Sequence, residues 1–187
     1  MNKKQLREKF HKERELLTPT ERQKYSEEII EIFLRNYQIE SKLVSIFLPI
    51  ERKLEINTYK LLDRLKNLNA KIALSKSNFE TTEMEQILFS DDVRLKTNKW
   101  GIPEPENGEL ISVESIDIVI VPLLISDKKG NRVGYGKGFY DRFLEKCKPN
   151  CQFVGINYFE PIEKIEDSNS YDIKLDALIT PKGIKKY

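Results

Sequence analysis

Apolar positions recur along this chain in two rhythms, and the switches between them outline its elements. From Lys3 to Leu16 good helix formers carry a thin stripe, Leu6, Phe10 and the Glu13-Arg14 turn onward to Leu17. That spacing predicts a polar helix with one narrow buried face. Thr18-Pro19-Thr20-Glu21 follows, with Thr18 as cap, Pro19 at the first helical position and Glu21 placed to complete a capping box. Tyr25, Ile29, Ile32 and Phe33 then repeat at helical spacing and predict a core-facing second helix. Leu43 to Leu48 is short, apolar and partly β-branched, and Pro49 stops it, as in a buried strand. Asn57 or Thr58 can cap a helix carrying Tyr59, Leu61, Leu62 and Leu65, and Ala70 to Leu74 reads as the next strand. Two strands joined by a helix are parallel, with a right-handed crossover.

Met84 to Phe89 predicts a further strand, and Trp100-Gly101-Ile102-Pro103-Glu104-Pro105 a rigid loop. The tryptophan there is either packing or a wall for a flat ligand. Asp117 to Val121, ended by Pro122, is an unbroken apolar run that predicts a central parallel strand buried on both faces. Phe139, Tyr140, Phe143, Leu144 and Cys147 mark one helical face, in a pattern that turns helical from Lys137. Phe153 to Ile156 and Ala177 to Thr180 complete the strands. The outline is one three-layer αβα domain spanning 1–187, with a mostly parallel sheet of about six strands. Ligands of such sheets gather beyond the carboxyl ends of the strands.

Composition narrows the class. The 187 residues are 39% hydrophobic and 33% charged, with 32 basic against 30 acidic residues, so the net charge is only +2. A balanced total of this kind predicts no nucleic-acid or membrane partner. No apolar run approaches the roughly 20 residues needed to span a bilayer. The first seven residues lack the apolar core of a signal peptide, so the cytoplasm is expected. Cys147 and Cys151 do not form a C-x-x-C, and His11 is the sole histidine, a poor basis for a zinc site.

One segment is built differently. Gly130-Asn131-Arg132-Val133-Gly134-Tyr135-Gly136-Lys137-Gly138-Phe139-Tyr140-Asp141 holds four of the chain's eight glycines, with two cations, three aromatics and a carboxylate. Bare backbone beside Arg132 and Lys137 fits an anionic visitor such as a phosphate. The segment is neither G-x-x-x-x-G-K-[ST] nor G-x-G-x-x-G, because Asn131, Gly138 and Phe139 occupy decisive positions. Lys3 and Arg7, four apart on the first helix, face the same way and either form a solvated surface or share an anion. Asp141 either offsets a helix dipole or holds magnesium, and Asp172 or Asp176 could supply a second carboxylate.

The segment Asn131 to Asp141 closely resembles the signature of the 5-formyltetrahydrofolate cyclo-ligases, also called methenyltetrahydrofolate synthetases. Lys3-x-x-x-Arg7, Phe47-Leu48 with Glu55-Ile56-Asn57-Thr58, Trp100 to Pro105, and Tyr171-Asp172 through Asp176 and Thr180 are similar to other stretches of that family, in the same order. Many members carry His or another polar residue where this chain has Tyr171. The resemblance implies an open αβα fold like that of ribose-phosphate isomerases and CoA-transferase-like proteins. It implies the ATP- and Mg²⁺-dependent conversion of 5-formyltetrahydrofolate to 5,10-methenyltetrahydrofolate, in which the formyl oxygen attacks the γ-phosphate, N10 closes the ring and phosphate leaves.

Carried over to these positions, the resemblance implies that Lys3 and Arg7 contact ATP phosphates, and that Arg132, Val133, Gly134, Tyr135, Gly136, Lys137, Gly138, Phe139 and Tyr140 wrap the nucleotide. Lys137 and Arg132 would stabilise the transferring phosphoryl group. Leu48 and Glu55 would bind the pterin, with Arg7, Trp100 and Tyr135 to Phe139 also touching the folate. Asp141 and Asp172 would be the magnesium ligands. A monomer with ATP and 5-formyltetrahydrofolate as partners is expected; the alternative is a non-catalytic nucleotide- or folate-binding protein of the same fold.

Overall fold

The structure is a computed structural model that describes residues 1–187. Helix α1 (Lys3–Leu16) opens on a capping box between Asn2 and Gln5, and α2 (Pro19–Asn36) on the expected box between Thr18 and Glu21. Strand β1 (Leu43–Ile46), helix α3 (Tyr59–Asn67) and strand β2 (Lys71–Asn78) form the predicted parallel unit, with Leu43 opposite Lys71. β3 (Glu83–Leu88) returns antiparallel to β2; β4 (Leu95–Thr97) and β5 (Pro103–Pro105) make a separate ribbon; β6 (Glu109–Ile111) then pairs with β3. β7 (Ile118–Pro122) leads to a second ribbon, β8 (Ile125–Ser126) with β9 (Arg132–Val133), and then to α4 (Phe139–Glu145). β10 (Gln152–Ile156), β11 (Ala177–Thr180) and β12 (Gly183–Lys186) finish the chain.

The main sheet runs β12-β11-β10-β7-β1-β2-β3-β6. Its five inner strands, β11 to β2, are parallel, and each of the three outer strands pairs antiparallel with its inner neighbour. The expectation of about six mostly parallel strands is therefore corrected to eight in a mixed sheet. The two unforeseen strands lie at the edges and read Glu-Leu-Ile and Gly-Ile-Lys-Lys. An edge strand with a solvated face needs no apolar run, and lysine there discourages further pairing.

β7 shows why the inner strands are uniformly apolar. Ile118 and Ile120 pack with Ile29 and Phe33 of α2 and Leu61 and Leu65 of α3, while Val119 and Val121 pack with Phe143 and Leu144 of α4. Successive side chains point to opposite faces, so both faces are dry. A third cluster seats α1: Leu6 and Phe10 are buried against Leu124, Ile125, Val133 and Ile165. Burying each contributes about 1.5–3 kcal/mol, enough to hold a very polar helix over the β8–β9 ribbon. No helix is long and apolar enough to cross a membrane.

Candidate active site

Beyond the carboxyl ends of β1, β2 and β7 lies a cleft of about 270 Å³. Every site residue expected from the sequence lines it except Val133. Val133 alternates with Arg132 on β9, so when Arg132 turns to the cleft Val133 turns into the α1 cluster, where it is 1% exposed. Its side chain anchors the helix.

One end of the cleft is cationic. Lys3, Arg7, Arg132 and Lys137 gather there with Asp141 and Asp172; over the whole cleft, with Arg52, Lys53 and Glu55 added, six cations face three carboxylates, a local excess of three positive charges that the chain's balanced total conceals. Lys3 Nζ pairs with Asp172 at 2.6 Å, and Arg7 Nε donates to the Gly134 carbonyl at 2.9 Å. Gly136, at φ +86°, lies so close to Arg7 that an added Cβ would sit 3.0 Å from the guanidinium carbon. Lys137 is exposed and forms no ion pair. Arg132 differs: it is 7% exposed, donates to the Ile173 carbonyl and pairs with Asp141 at 2.6 Å. Its guanidinium lines the cleft with a carboxylate and a carbonyl already as partners. The helix that the segment opens, α4, starts at Phe139 after Gly138 at φ +69°, two residues past Lys137.

The other end holds Glu55. After the 3-10 turn Glu51–Lys53, Leu54 adopts φ 51°, ψ 43°, a left-handed conformation that costs a non-glycine residue about 1–3 kcal/mol. That reversal sends the Glu55 carboxylate back to accept from the Ile50 amide at 2.7 Å and the Tyr135 hydroxyl at 2.5 Å. Burial pushes the Glu55 carboxyl up from its ordinary range; the Ile50 and Tyr135 hydrogen bonds and the charges of Arg14 and Lys53 oppose the rise. Burial likewise pushes the Tyr135 phenol up, so it remains a donor. Leu48 is buried two residues beyond the end of β1. Trp100 stacks on Phe79 at 5.1 Å between ring centroids, and Phe79 meets Phe139 edge-on at 5.1 Å. The three rings form a wall, and Arg52 ties it down by donating to the Trp100 carbonyl at 2.5 Å.

A sequence profile described as the 5-formyltetrahydrofolate cyclo-ligase family matches residues 1–181. The chain belongs to that family of enzymes. A probable 5-formyltetrahydrofolate cyclo-ligase of Schizosaccharomyces pombe is 31% identical over 159 residues, covering 76% of this chain and 76% of the relative. The 5-formyltetrahydrofolate cyclo-ligase of Mus musculus is 29% identical over 160 residues, 79% of this chain and 77% of its own. The NMR structure of Aquifex aeolicus 5,10-methenyltetrahydrofolate synthetase superposes with a TM-score of 0.84 at 31% identity, over 100% of this chain and 93% of that one.

Within this cyclo-ligase fold the three candidate metal-binding aspartates separate. Asp141 and Asp172 share the cleft, whereas Asp176 accepts from the Phe153 amide at 2.7 Å, near the amino end of β10 and away from the strand ends that form the cleft. No group of three or more His, Cys, Asp and Glu side chains is gathered for a metal. Sequence reading missed Arg14, Arg52, Lys53 and Phe79. For Arg14 a signal existed: it stands four residues after Phe10, which stands four after Leu6, so a charge occupies the buried stripe of α1. For Phe79, Arg52 and Lys53 nothing local distinguishes a cleft residue from an ordinary loop residue.

Proposed function

We propose that this chain converts 5-formyltetrahydrofolate and ATP to 5,10-methenyltetrahydrofolate, ADP and phosphate in a single domain. The observation that carries the reading is the position of Gly134 to Phe139, which borders the cationic end and the Glu55 end of one cleft. A single loop can thus touch both reactants. The formyl oxygen attacks the γ-phosphorus as the bond to ADP breaks. N10 then adds to the activated carbon, the carbon–oxygen bond breaks, phosphate carries away the formyl oxygen, and N10 gives up its proton.

Such chemistry needs alignment and charge neutralisation more than a protein nucleophile. Holding both reactants in attack geometry can supply about 7–11 kcal/mol. Lys3, Arg7 and Lys137 neutralise the phosphates, with Lys137 free to follow the group that moves. Glu55 accepts from the N–H edge of the pterin, and Leu48 with the Trp100–Phe79–Phe139 wall holds the ring. Asp141 and Asp172 fit Mg²⁺, which commonly takes one or two carboxylates together with phosphate oxygens and needs no all-protein cage. When bound there it neutralises phosphate charge, while Arg132 and Lys3 keep the two carboxylates in place. The reading requires no nucleic acid, membrane or second protomer, and suits a cytoplasmic enzyme.

The test is incubation with 5-formyltetrahydrofolate, ATP and Mg²⁺, following the methenyl product by absorbance. Product is expected from the wild type, and Lys137→Ala is expected to lower kcat by about a hundredfold, as removal of a transition-state donor does elsewhere. A folded protein that binds both compounds and makes no product would be a non-catalytic binder.

A further inference from the structure

Arg14 lies outside the cleft lining, yet its side chain ends one hydroxyl away from the cleft's most buried carboxylate. It is 2% exposed on α1, in line with Leu6 and Phe10. Nη2 donates to the Leu123 carbonyl, and Nη1 donates to the Tyr135 hydroxyl at 3.1 Å and the Lys53 carbonyl at 3.4 Å. The Tyr135 hydroxyl in turn donates to Glu55 Oε1 at 2.5 Å.

The direction of this chain is forced. Arginine only donates, so the phenol oxygen accepts from Arg14 and its proton must go to Glu55. With the phenol proton on Oε1 and the Ile50 amide on Oε2, both carboxylate oxygens act as acceptors, the arrangement of an ionised carboxylate. We infer that Arg14 is a positioning residue for folate capture: through the Tyr135 hydroxyl it is the buried counter-ion that keeps Glu55 ionised and aimed into the cleft.

Stability does not account for this arginine. A buried charge carries a desolvation cost that an apolar side chain of similar volume avoids. Arg14 Nε is moreover buried without a partner, a further cost. A packing residue on that stripe would be cheaper as leucine or methionine. The charged and titratable groups facing Glu55 are Arg14 from α1, with His11 stacked behind Tyr135, then Lys53, Tyr135, Tyr140 and Tyr158. Arg14 and Lys53 are the cations whose charge favours ionised Glu55, against the effect of burial. Lys53 is less buried than Arg14 and lies over the Tyr135 ring, 5.5 Å from its centroid.

The inference rests on the pterin reading of Glu55, so its test has one arm with substrate and one without. In turnover assays Tyr135→Phe is expected to raise the KM for 5-formyltetrahydrofolate about tenfold, the loss of one hydrogen bond to a charged group, with the ATP KM unchanged. The acid limb of kcat/KM for the folate moves to higher pH in Tyr135→Phe and further in Arg14→Gln, while Arg14→Lys restores part of the shift. In the free protein, ¹³C titration of the Glu55 carboxyl moves the same way in the same order. An unmoved Glu55 midpoint in folded Tyr135→Phe and Arg14→Gln overturns the relay, as does an equal rise of both KM values. If Arg14→Gln fails to fold, Tyr135→Phe, which removes one hydroxyl, decides alone. If the wild type makes no methenyl product, the proposed reaction fails and the titration still decides the relay.

Discussion

Lys3 and Asp172 are 169 positions apart in the chain, and their side chains meet at 2.6 Å. The pair is mostly buried, at 16% and 14% side-chain exposure, and Asp167 adds a second tie by accepting from the Lys3 amide at 2.7 Å. Helix α1 is thereby locked to the segment preceding β11 at the cationic end of the cleft. Lys3→Ala is expected to raise the ATP KM about tenfold, the scale of one charge-assisted contact, with the folate KM unchanged. Steady-state kinetics with each substrate varied in turn checks this, and equal rises in both would assign Lys3 to scaffolding alone.

Arg132 supports Asp141 from below. The guanidinium is buried but the Asp141 carboxylate is 36% exposed, so Arg132→Ala should lose about 1.5–3 kcal/mol in a denaturant titration, the scale of a hydrogen bond to a charged group. Arg132→Lys keeps the charge but cannot serve Asp141 and the Ile173 carbonyl together through a planar fork. That variant should fold, yet need a severalfold higher Mg²⁺ concentration for half-maximal rate. An unchanged Mg²⁺ curve would separate Asp141 from the metal.

Trp100 is the chain's single tryptophan, and it stacks on Phe79 within the cleft wall. Folate binding should therefore change its fluorescence, whereas Mg²⁺ alone should not. Phe79→Ala removes the middle ring of the wall. An aromatic contact contributes about 0.5–1.5 kcal/mol beyond burial, so the folate Kd from this fluorescence should weaken about tenfold. A Kd unaltered by Phe79→Ala would place the pterin elsewhere.

Asp117 joins the starts of β1 and β7, accepting from the Leu43 amide at 2.9 Å and pairing with Lys148 at 2.6 Å. Burial opposes its ionisation, but Lys148, the Leu43 amide and Lys42 outweigh that and hold its carboxyl below the ordinary 3.8. A lowered folded pKa gives stability that is complete above the unfolded value and lost as pH falls through the folded one. Asp117→Asn should thus be less stable than wild type by about 1–3 kcal/mol at neutral pH, and the gap should narrow below pH 3.8. Thermal melts across that range test it; a gap that stays constant would remove the carboxylate's charge from the explanation.

Local physics made much of the scaffold legible in the sequence. Thr18 and Glu21 announce α2 because capping is decided within four residues, and the apolar run at 118–121 announces a strand dry on both faces. β6 and β12 were hidden because an edge strand can be polar. The glycine-rich segment and its resemblance pointed to the residues that the fold gathers around the cleft. What stayed hidden depends on partners distant in sequence. Nothing near Arg132 says that Ile173 and Asp141 will occupy its guanidinium, and nothing near Val133 says that α1 will cover it. Asp172 and Asp176, four residues apart, reach different ends of the strands: Asp172 lines the cleft and Asp176 accepts from the Phe153 amide near the amino end of β10.

If the cleft brings the formyl oxygen of the folate against the γ-phosphate of ATP, that oxygen leaves on the phosphate. Turnover of 5-formyltetrahydrofolate carrying ¹⁸O in the formyl group, with mass analysis of the released phosphate, tests it most directly. One ¹⁸O is expected in each phosphate formed with methenyl product. Unlabelled phosphate released at the same rate as product would contradict it.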